Sequence, residues 1–329
     1  MTDTWFIAAD VGGTNIRLGA YLGDNLVHSE THSTKAGTPI VETVAQFSKT
    51  LPACPKAVVV AAAGPVIDNA VQLTNAKQII RGSELSAATG APHAKVINDF
   101  EAAAWATATP SRDELITLQG APTAQPGTRM VIGPGTGLGV GALAFQQGQY
   151  FAIPGEGGHV GISPQSSEES EIFEAFRSVW PDVFFGDTQT VEAEGILSGT
   201  GIPLLYQAVH AAHGTSYAAK DAGQIMNAAK EGSDPQAATT ARIFKTHLAR
   251  VAGDLALSFG AKGGVFLVGG VALKNAWLFD EEFVQVFGQG GRFSPIRQEM
   301  NLYLLNIAEF GLKGAQNFAH NVLANAAES

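Results

Sequence analysis

Residues 7–19 form a glycine-rich segment whose groups could hold a phosphate and a metal ion. An apolar run ends at Asp10, and alternating apolar residues follow the turn, a pattern that predicts a β-hairpin. Glycines in the turn let backbone N–H groups approach a ligand, and polar neighbours add side-chain donors that suit phosphate oxygens. The turn and the residue after it are Gly12, Gly13, Thr14 and Asn15. Asp10 is placed to hold a hard cation beside that phosphate, directly or through water.

A second copy of the same pattern occupies residues 130–143. An apolar strand leads into a Gly-Thr-Gly turn that contains Thr136 and Gly137, and an alternating strand follows. Taken alone, the first turn fits an ordinary hairpin with a solvated aspartate as well as it fits a phosphate-binding turn. Two such turns facing each other, however, could bind a polyphosphate from both sides. Neither turn is a P-loop, because no Gly-Lys-Ser/Thr follows. The second is not a dinucleotide fingerprint, because it runs into a strand pattern instead of a helix.

Two polar residues, Asn98 and Asp99, stand where a predicted strand at residues 94–97 gives way to a helix. Such a junction lies at the carboxyl edge of an α/β sheet, where ligands bind. A helix N-cap, which contributes about 1 kcal/mol by accepting a free backbone N–H, explains only one of the two side chains. The other side chain is therefore predicted to face a ligand.

Glu156 and His159 lie three residues apart in a glycine-flanked loop at residues 154–161, so both side chains can point into one cavity. Metal ligation is the competing interpretation, but no third or fourth ligand stands at a suitable spacing. Hydrogen bonds to a polyhydroxylated ligand fit better, because the carboxylate accepts and the imidazole can donate or accept. Glu192 and Glu194 follow in a segment where both could be simple solvated charges.

The composition restricts the classes of protein to which this chain can belong. With 329 residues, 45% of them hydrophobic, it can bury a large core and is expected to form two domains. A net charge of −10 argues against nucleic acid or an anionic membrane as a partner, so backbone amides and a metal ion must meet any phosphate. The single Cys54 excludes an internal disulfide and a multi-cysteine zinc site. The sequence shows neither a basic leader nor a long apolar stretch, so we expect a cytoplasmic protein without a membrane span.

The elements that must position these groups alternate between strands and helices, which is an α/β pattern. Continuous or alternating apolar residues predict strands, and apolar residues at helical spacing predict helices. Besides the two hairpins, strands are predicted at residues 26–31, 56–62, 94–97, 150–153, 263–271 and 302–305. Helices are predicted at residues 39–49, 102–108, 167–180, 222–230, 235–259 and 311–323.

Glycine and proline mark the connections between these elements. Gly199 and Gly201 are predicted turn residues, and the small, polar, proline-containing residues 107–111 are the predicted hinge. The strand pattern at residues 263–271 opens into Gly269-Gly270, whose bare backbone could let a flat base or a ribose lie against it.

Taken together, these motifs resemble those of the bacterial glucokinases in the hexokinase/actin/Hsp70-like superfamily. The resemblance extends over residues 7–323. In chain order, the matching motifs are Asp10-Val-Gly-Gly-Thr14-Asn15-x-Arg17, Asn98-Asp99-Phe100, Gly133-Pro-Gly-Thr136-Gly-Leu-Gly139, Pro154-Gly-Glu156-Gly-Gly-His159, Leu197-Ser-Gly and Phe266-Leu-Val-Gly269-Gly270. The resemblance implies an α/β, two-domain ribonuclease H-like (actin/hexokinase) fold, with mixed sheets flanked by helices and a cleft between the domains. It places a small α/β domain at residues 1–109 plus about 306–329, and a large α/β domain at residues 110–305.

The resemblance also implies phosphoryl transfer from Mg-ATP to the 6-hydroxyl of glucose by a homodimer, with Asp99 as the general base. The residues implied to hold the sugar are Asn98, Asp99, Glu156, His159 and Glu194. The residues implied to hold the nucleotide are Asp10, Gly12, Gly13, Thr14, Asn15, Thr136, Gly137, Gly269 and Gly270, and Asp10 would anchor Mg²⁺ through water.

Other functions stay open on the sequence alone. A kinase for another hexose or an amino sugar is the nearest alternative, because hydroxyl contacts of this kind do not define the epimer. A conformational ATPase like actin or Hsp70 would not need the pairs Asn98-Asp99 and Glu156/His159. A sugar sensor without catalysis would be expected to carry a DNA-binding element, and the sequence shows none. One departure from the resemblance is that Thr74-Asn75 is followed by Ala-Lys-Gln-Ile-Ile, where many such glucokinases have a tryptophan.

Overall fold

The computed structural model describes residues 4–34, 37–73, 78–307 and 309–328, with side chains described as far as residue 323. The chain divides into two compact units, one made of Met1–Pro110 with Ile307–Ser329 and the other of Ser111–Asn306. Both units are mixed α/β. Residues 74–77, where the sequence departs from the resemblance, lie outside the described residues.

A five-stranded sheet is the centre of the first unit. In chain order, this part contains β1 (Trp5–Val11), β2 (Asn15–Leu22), β3 (Asn25–Ser33), α1 (Ile40–Ser48), β4 (Ala57–Ala62), β5 (Val66–Ile67), β6 (Ala70–Gln72), β7 (Ile79–Arg81), α2 (Gly82–Thr89), β8 (His93–Asn98) and α3 (Asp99–Ala106). The sheet has the order β3-β2-β1-β4-β8, in which β1 and β2 are antiparallel while β1, β4 and β8 run parallel. The short strands β5, β6 and β7 form a small sheet of their own.

A six-stranded sheet is the centre of the second unit, with the order β12-β11-β10-β15-β16-β9. In chain order, this unit contains β9 (Leu115–Gln119), β10 (Arg129–Pro134), β11 (Leu138–Gln146), β12 (Gln149–Ile153), β13 (Gly161–Ile162), α4 (Ser167–Val179), β14 (Val191–Glu192), α5 (Gly201–Ala212), α6 (Ala222–Glu231), α7 (Pro235–Phe259), β15 (Gly264–Leu267), α8 (Gly270–Lys274), α9 (Glu281–Phe287), α10 (Ser294–Glu299) and β16 (Leu302–Leu305). The chain then returns to the first unit as α11 (Phe310–Glu328).

Alternation along β1 divides its side chains between two hydrophobic layers. Ile7 and Ala9 belong to the layer that includes residues of α1, whereas Phe6 and Ala8 belong to the layer that includes residues of α11. Every side chain of β4 is buried, as its uninterrupted apolar run predicts for a strand covered on both faces. The two layers therefore hold the central parallel strands in place, and their carboxyl ends carry the polar residues described below.

The longest of the described helices, α7, is delimited by specific residues at both ends. The carboxylate of Asp234 accepts hydrogen bonds from the backbone N–H groups of Gln236 and Ala237 at 3.0 and 3.1 Å, and Pro235 is the first helical residue. Gly260 ends the helix with a φ of +63°, which glycine adopts without a steric penalty. Neither α7 nor any other helix in the described part of the chain is long and apolar enough to cross a membrane.

Most predicted elements coincide with observed ones, but α5 was missed. The helices predicted at residues 167–180, 222–230 and 235–259 are α4, α6 and α7. The prediction of a turn at Gly201 was wrong, because Gly201 is the first residue of α5. A Cβ at this position would lie 2.3 Å from the carbonyl oxygen of Gly195, so a close backbone approach is what requires the glycine. The short helices α2, α8, α9 and α10 were also not predicted.

Candidate active site

Asp10 and Asp99 lie at the same edge of the sheet in the first unit. Strand register pairs Asp10 with Ala61 and Ala61 with Ile97, so the carboxyl ends of the three parallel strands are level. Asp10 stands one residue before the end of β1, and Asp99 directly follows β8. Burial is the main reason that the pKa of Asp10 is raised, and the negative charge of Asp99 raises it further. The predicted base and the predicted metal anchor are therefore neighbours.

The surroundings of Asp10 favour a cation. Burial raises its pKa from 3.8 to about 6, the Arg17 guanidinium opposes that shift, and the charges of Asp99 and Glu309 add to it. Nη1 of Arg17 lies 3.6 Å from Oδ2 of Asp10, while Nε of Arg17 lies 3.1 Å from Oε1 of Glu309. A Cβ at Gly311 would lie 2.6 Å from Oδ1 of Asp10, so the first turn of α11 can approach this carboxylate only as glycine. Because Arg17 is shared between two carboxylates, a further positive charge would stabilise the ionised Asp10.

The first glycine turn presents its backbone to solvent. The N–H of Gly12 donates to the carbonyl of Asn15 at 2.9 Å, which closes the turn between β1 and β2. Thr34 donates from its backbone N–H to the carbonyl of Thr14 at 2.9 Å and from Oγ1 to the carbonyl of Gly13 at 3.2 Å. Gly13 and Thr14 are exposed, and within the described residues their N–H groups donate to no protein acceptor. These N–H groups have the character of an anion-binding turn.

The structure assigns the cap of α3 to Asn98. Oδ1 of Asn98 accepts from the N–H groups of Phe100 and Glu101 at 2.8 and 3.2 Å, and Nδ2 donates to the carbonyl of Gly64 at 3.0 Å. Asp99, the first residue of the helix, accepts a hydrogen bond from the N–H of Phe100 at 3.0 Å through Oδ1. Asn98 thus explains the helix start, and the partly exposed Asp99 carboxylate stands beside it in the first turn of α3.

The second glycine turn is held by backbone contacts. The N–H of Gly135 donates to the carbonyl of Gly137 at 2.8 Å, and the N–H of Gly199 donates to the carbonyl of Gly135 at 2.8 Å. A Cβ on Gly199 would lie 2.9 Å from the Gly135 carbonyl oxygen, and a Cβ on Gly269 would lie 2.8 Å from that of Pro134. Gly269 also has a φ of +96°, and α8 begins with the next residue. The ends of the parallel strands β10 and β15 therefore form a surface of bare backbone, which suits a flat or polyanionic ligand.

Glu194 lies directly behind this turn. Its Oε2 accepts a hydrogen bond from the N–H of Leu138 at 2.8 Å, and a Cβ on Gly137 would lie 2.3 Å from the same oxygen. Its charge also acts on His159, whose loop packs on β11 so closely that a Cβ on Gly158 would lie 1.8 Å from the Leu138 carbonyl oxygen. Glu194 therefore connects the turn predicted to bind phosphate with the loop predicted to bind sugar.

His159 forms an ion pair with Glu192, through Nδ1 and Oε1. The hydrogen bond that Glu192 accepts from His159 is the largest cause that raises the pKa of His159, burial opposes the shift, and the charges of Glu192, Glu194 and Glu156 support it. Within the second unit, Glu156, His159, Glu192 and Glu194 thus form one cluster of three carboxylates around an imidazole. A set of this kind offers carboxylate acceptors and an imidazole donor to a polyhydroxylated ligand.

Glu192 was not among the predicted site residues. It reaches His159 because the antiparallel strands β13 and β14 pair it with Gly161, and Gly161 is only two residues after His159 in the chain. A signal was present in the alternation of Val191-Glu192-Ala193-Glu194, in which Val191 and Ala193 are fully buried. That alternation predicts a common face for the two glutamates. It does not predict that Glu192 pairs with His159, which is 33 residues away in the chain.

The predicted site residues thus fall into two groups, one in each unit. The group in the first unit consists of Asp10, Gly12, Gly13, Thr14, Asn15, Asn98 and Asp99. The group in the second unit consists of Thr136, Gly137, Glu156, His159, Glu194, Gly269 and Gly270. Within the residues that the structure describes, no three His, Cys, Asp or Glu side chains are gathered so that they could hold a metal ion. The partly buried Asp10 fits a different arrangement, in which Mg²⁺ keeps several waters and binds one carboxylate and the phosphates of a substrate.

This fold is that of sugar kinases of known structure. A glucokinase from an Antarctic psychrotroph is similar over 96% of this chain and 99% of its own, with a TM-score of 0.84 and 28% sequence identity. A glucokinase from Balamuthia mandrillaris, solved in complex with glucose, shares the fold with a TM-score of 0.79 and 22% identity, over 96% of this chain and 94% of its own.

The chain belongs to the Glucokinase family, whose model matches residues 7–322. Among named relatives, the glucokinase of Sinorhizobium fredii is 39% identical over 274 residues, which are 82% of this chain and 78% of that protein. The family identified from the sequence motifs is confirmed.

Proposed function

We propose that the protein transfers the terminal phosphoryl group of ATP to the 6-hydroxyl of glucose, with Asp99 as the general base. The observation that carries the proposal is the position of Asp99 beside Asp10 at the carboxyl edge of the sheet, in a chain of the Glucokinase family. Asn98 caps α3, so the start of the helix does not depend on the Asp99 carboxylate. A coupled assay with ATP and a panel of hexoses tests the proposal directly, and turnover of glucose well above that of other hexoses is expected.

Asp99 does not need an unusual basicity for this role. A sugar hydroxyl is a poor acid and a carboxylate is a weak base, so Asp99 would not remove the proton in advance. In a loose transition state, the hydroxyl proton becomes acidic as the new O–P bond forms, and the carboxylate then accepts it. Until that point, Asp99 orients the oxygen for in-line attack, which is the larger part of phosphoryl-transfer catalysis.

The two glycine turns would hold the nucleotide. The exposed N–H groups at Gly13 and Thr14 suit phosphate oxygens, and so does the Thr136-Gly137 turn. The bare backbone at Gly269-Gly270 would lie against the adenosine. Asp10 would hold Mg²⁺ through water, and the bound ion would neutralise charge on the phosphates.

The resemblance also implies a homodimer, which sedimentation equilibrium of the purified protein would test.

The cluster around His159 would hold the remaining sugar hydroxyls. Glu156 and Glu194 would accept hydrogen bonds, and His159, whose pKa is raised by its hydrogen bond to Glu192, would donate one. A kinase for another hexose is the alternative, because these contacts fit hydroxyls without naming the epimer. A non-catalytic sugar-sensing protein is the second alternative, and the hexose panel separates the three.

Replacing Glu192 by glutamine is expected to raise KM for glucose about threefold to tenfold while kcat stays within about twofold. Loss of the Glu192 carboxylate removes the largest cause of the raised pKa of His159, so less of the imidazole is protonated at neutral pH. The rise in KM that follows deprotonation should therefore begin at lower pH in the variant. Steady-state kinetics between pH 5.5 and 8.5 measures this, with Glu231→Gln, an exposed residue of α6, as the matched control. Equal KM profiles for variant and wild type would exclude Glu192 from sugar binding.

The resemblance implies two domains that close over glucose, because water competes with the sugar for the phosphoryl group. We therefore expect the radius of gyration to decrease when glucose is added. Small-angle scattering measures it, with mannitol at equal concentration as the control. An unchanged radius with glucose would contradict closure and leave the assignment of Asp99 intact.

A further inference from the structure

The second unit contains a cavity of about 340 Å³ that none of the proposed roles uses. It lies between the β13 segment and α7. Its apolar lining comes from Val160, Ile162, Val251 and Leu255, and Arg250 is among its polar lining residues. This volume is at the lower end of the range of small-molecule sites, so the cavity suits a ligand of a few carbon atoms.

Arg250 is incompletely paired in this cavity. Within the part of the chain that the structure describes, its buried Nε donates to no protein acceptor, and its Nη2 makes a long contact of 3.5 Å to Oε1 of Gln289. Among the described residues, no carboxylate lies within ion-pair distance of Arg250, whereas nearby Arg242 and Arg297 pair with Glu168 and Asp254. Buried donors are nearly always satisfied, because an unmet one costs about 1–3 kcal/mol.

The other charged groups at the cavity are already compensated. His247 shares a hydrogen bond of 3.0 Å with Glu169, and both side chains are buried. Asp254, one turn after Arg250 on α7, pairs with Arg297. The Arg250 guanidinium is therefore the uncompensated charge of this site, in a protein whose net charge is −10.

We propose that the cavity binds a small carboxylate with a short aliphatic body, its carboxylate received by Arg250 and its body covered by the four aliphatic side chains. A guanidinium offers parallel N–H donors that match the two oxygens of a carboxylate. A carboxylate with an aliphatic body fits better than an inorganic phosphate, because four aliphatic side chains in the lining would have no apolar partner on a phosphate. The site is separate from the predicted sugar residues in its lining, although Val160 and Gly161 directly follow His159 in the chain.

Isothermal titration calorimetry of the full chain with sodium isovalerate tests this proposal. We expect saturable one-to-one binding with a Kd of about 1 mM or tighter, and at least about tenfold weaker binding by Arg250→Gln. Arg292→Gln removes an exposed arginine and serves as the matched control, which should bind as the wild type does. Leu255→Phe keeps the charge but fills the cavity, and it should also lose binding.

Three further titrations decide what the site recognises. The neutral 3-methylbutan-1-ol has the same aliphatic body, so binding equal to that of isovalerate would overturn the role of Arg250. Sodium phosphate binding more tightly than isovalerate would overturn the assigned ligand class. Sodium chloride at matched ionic strength should produce no saturable heat. Absence of isovalerate binding by a wild-type protein with an intact melting transition would overturn the proposal, whatever its kinase activity.

Discussion

The variant Asp99→Asn is expected to lose at least about 10² in kcat while its affinity for glucose stays within about tenfold of the wild type. Asparagine keeps the shape and a hydrogen-bonding oxygen, so it can still orient a hydroxyl, but it does not accept the proton in the transition state. The fold at this corner is expected to persist, because Asn98 and not Asp99 caps α3. The loss should therefore appear in turnover and not in binding or unfolding.

A coupled assay for kcat, and calorimetry for the dissociation constant of glucose, measure the two quantities separately. Asp113→Asn, an exposed residue outside both groups of site residues, is the matched control. In Asp99→Asn, the pKa of Asp10 should be lower than in the wild type, because burial and the charge of Asp99 both raise it and the substitution removes that charge. Near-native kcat together with this shift would remove Asp99 from the role of base while confirming its proximity to Asp10.

The sequence predicted best those features that depend on local pattern. The strand at residues 302–305 is β16 (Leu302–Leu305), and the helix at residues 235–259 is α7 (Pro235–Phe259). Strong caps explain the second case, because Asp234-Pro235 and Gly260 are start and stop signals that can be read without tertiary information. The position of Asp99 follows from a strand giving way to a helix, which is equally local.

Contacts between distant segments could not be predicted in the same way. The pair of Glu192 and His159 depends on the pairing of β14 with β13, and the contact of Glu194 with the Leu138 N–H joins residues 56 positions apart. Gly201 was misread because a glycine needed for a close backbone approach has the same local signature as a glycine in a turn. The sequence therefore identified residue types at the site, while their partners came from the sheet topology.

Replacing Asp10 by asparagine is expected to stabilise the protein at neutral pH while reducing its activity. The pKa of Asp10 is about 6 in the folded protein, compared with an ordinary value of 3.8 for an exposed aspartate, so the folded state binds this proton more tightly than the unfolded state does. Stability contributed by this group is thus highest below about pH 4 and decreases as the pH rises to about 6. At pH 7 the ionised carboxylate costs the folded protein about 3 kcal/mol, which the neutral amide avoids.

Urea unfolding at pH 5 and pH 7.5 measures this effect. The free energy of unfolding of Asp10→Asn should exceed that of the wild type by more at pH 7.5 than at pH 5. Arg17 should keep its ion pair with Glu309 in the variant. Asp113→Asn should unfold as the wild type does at both pH values. Destabilisation of Asp10→Asn at pH 7.5 would show that the carboxylate has a structural partner stronger than Arg17, and it would contradict the assignment of Asp10 as a functional group whose charge destabilises the fold.

The same carboxylate should couple nucleotide binding to protons. A cation near Asp10 favours its ionised form, so binding of Mg-ATP at pH 6 should release a proton from a fraction of the molecules and should strengthen as the pH rises through about 6. Calorimetry in two buffers with different ionisation enthalpies measures the protons released, and in Asp10→Asn this release should disappear while kcat/KM for Mg-ATP falls by at least about 10². Equal proton release by variant and wild type would assign the titrating group elsewhere. If Asp10→Asn is more stable than the wild type but less active, the partly buried charge of Asp10 is kept at the sheet edge for the cation, at the expense of fold stability.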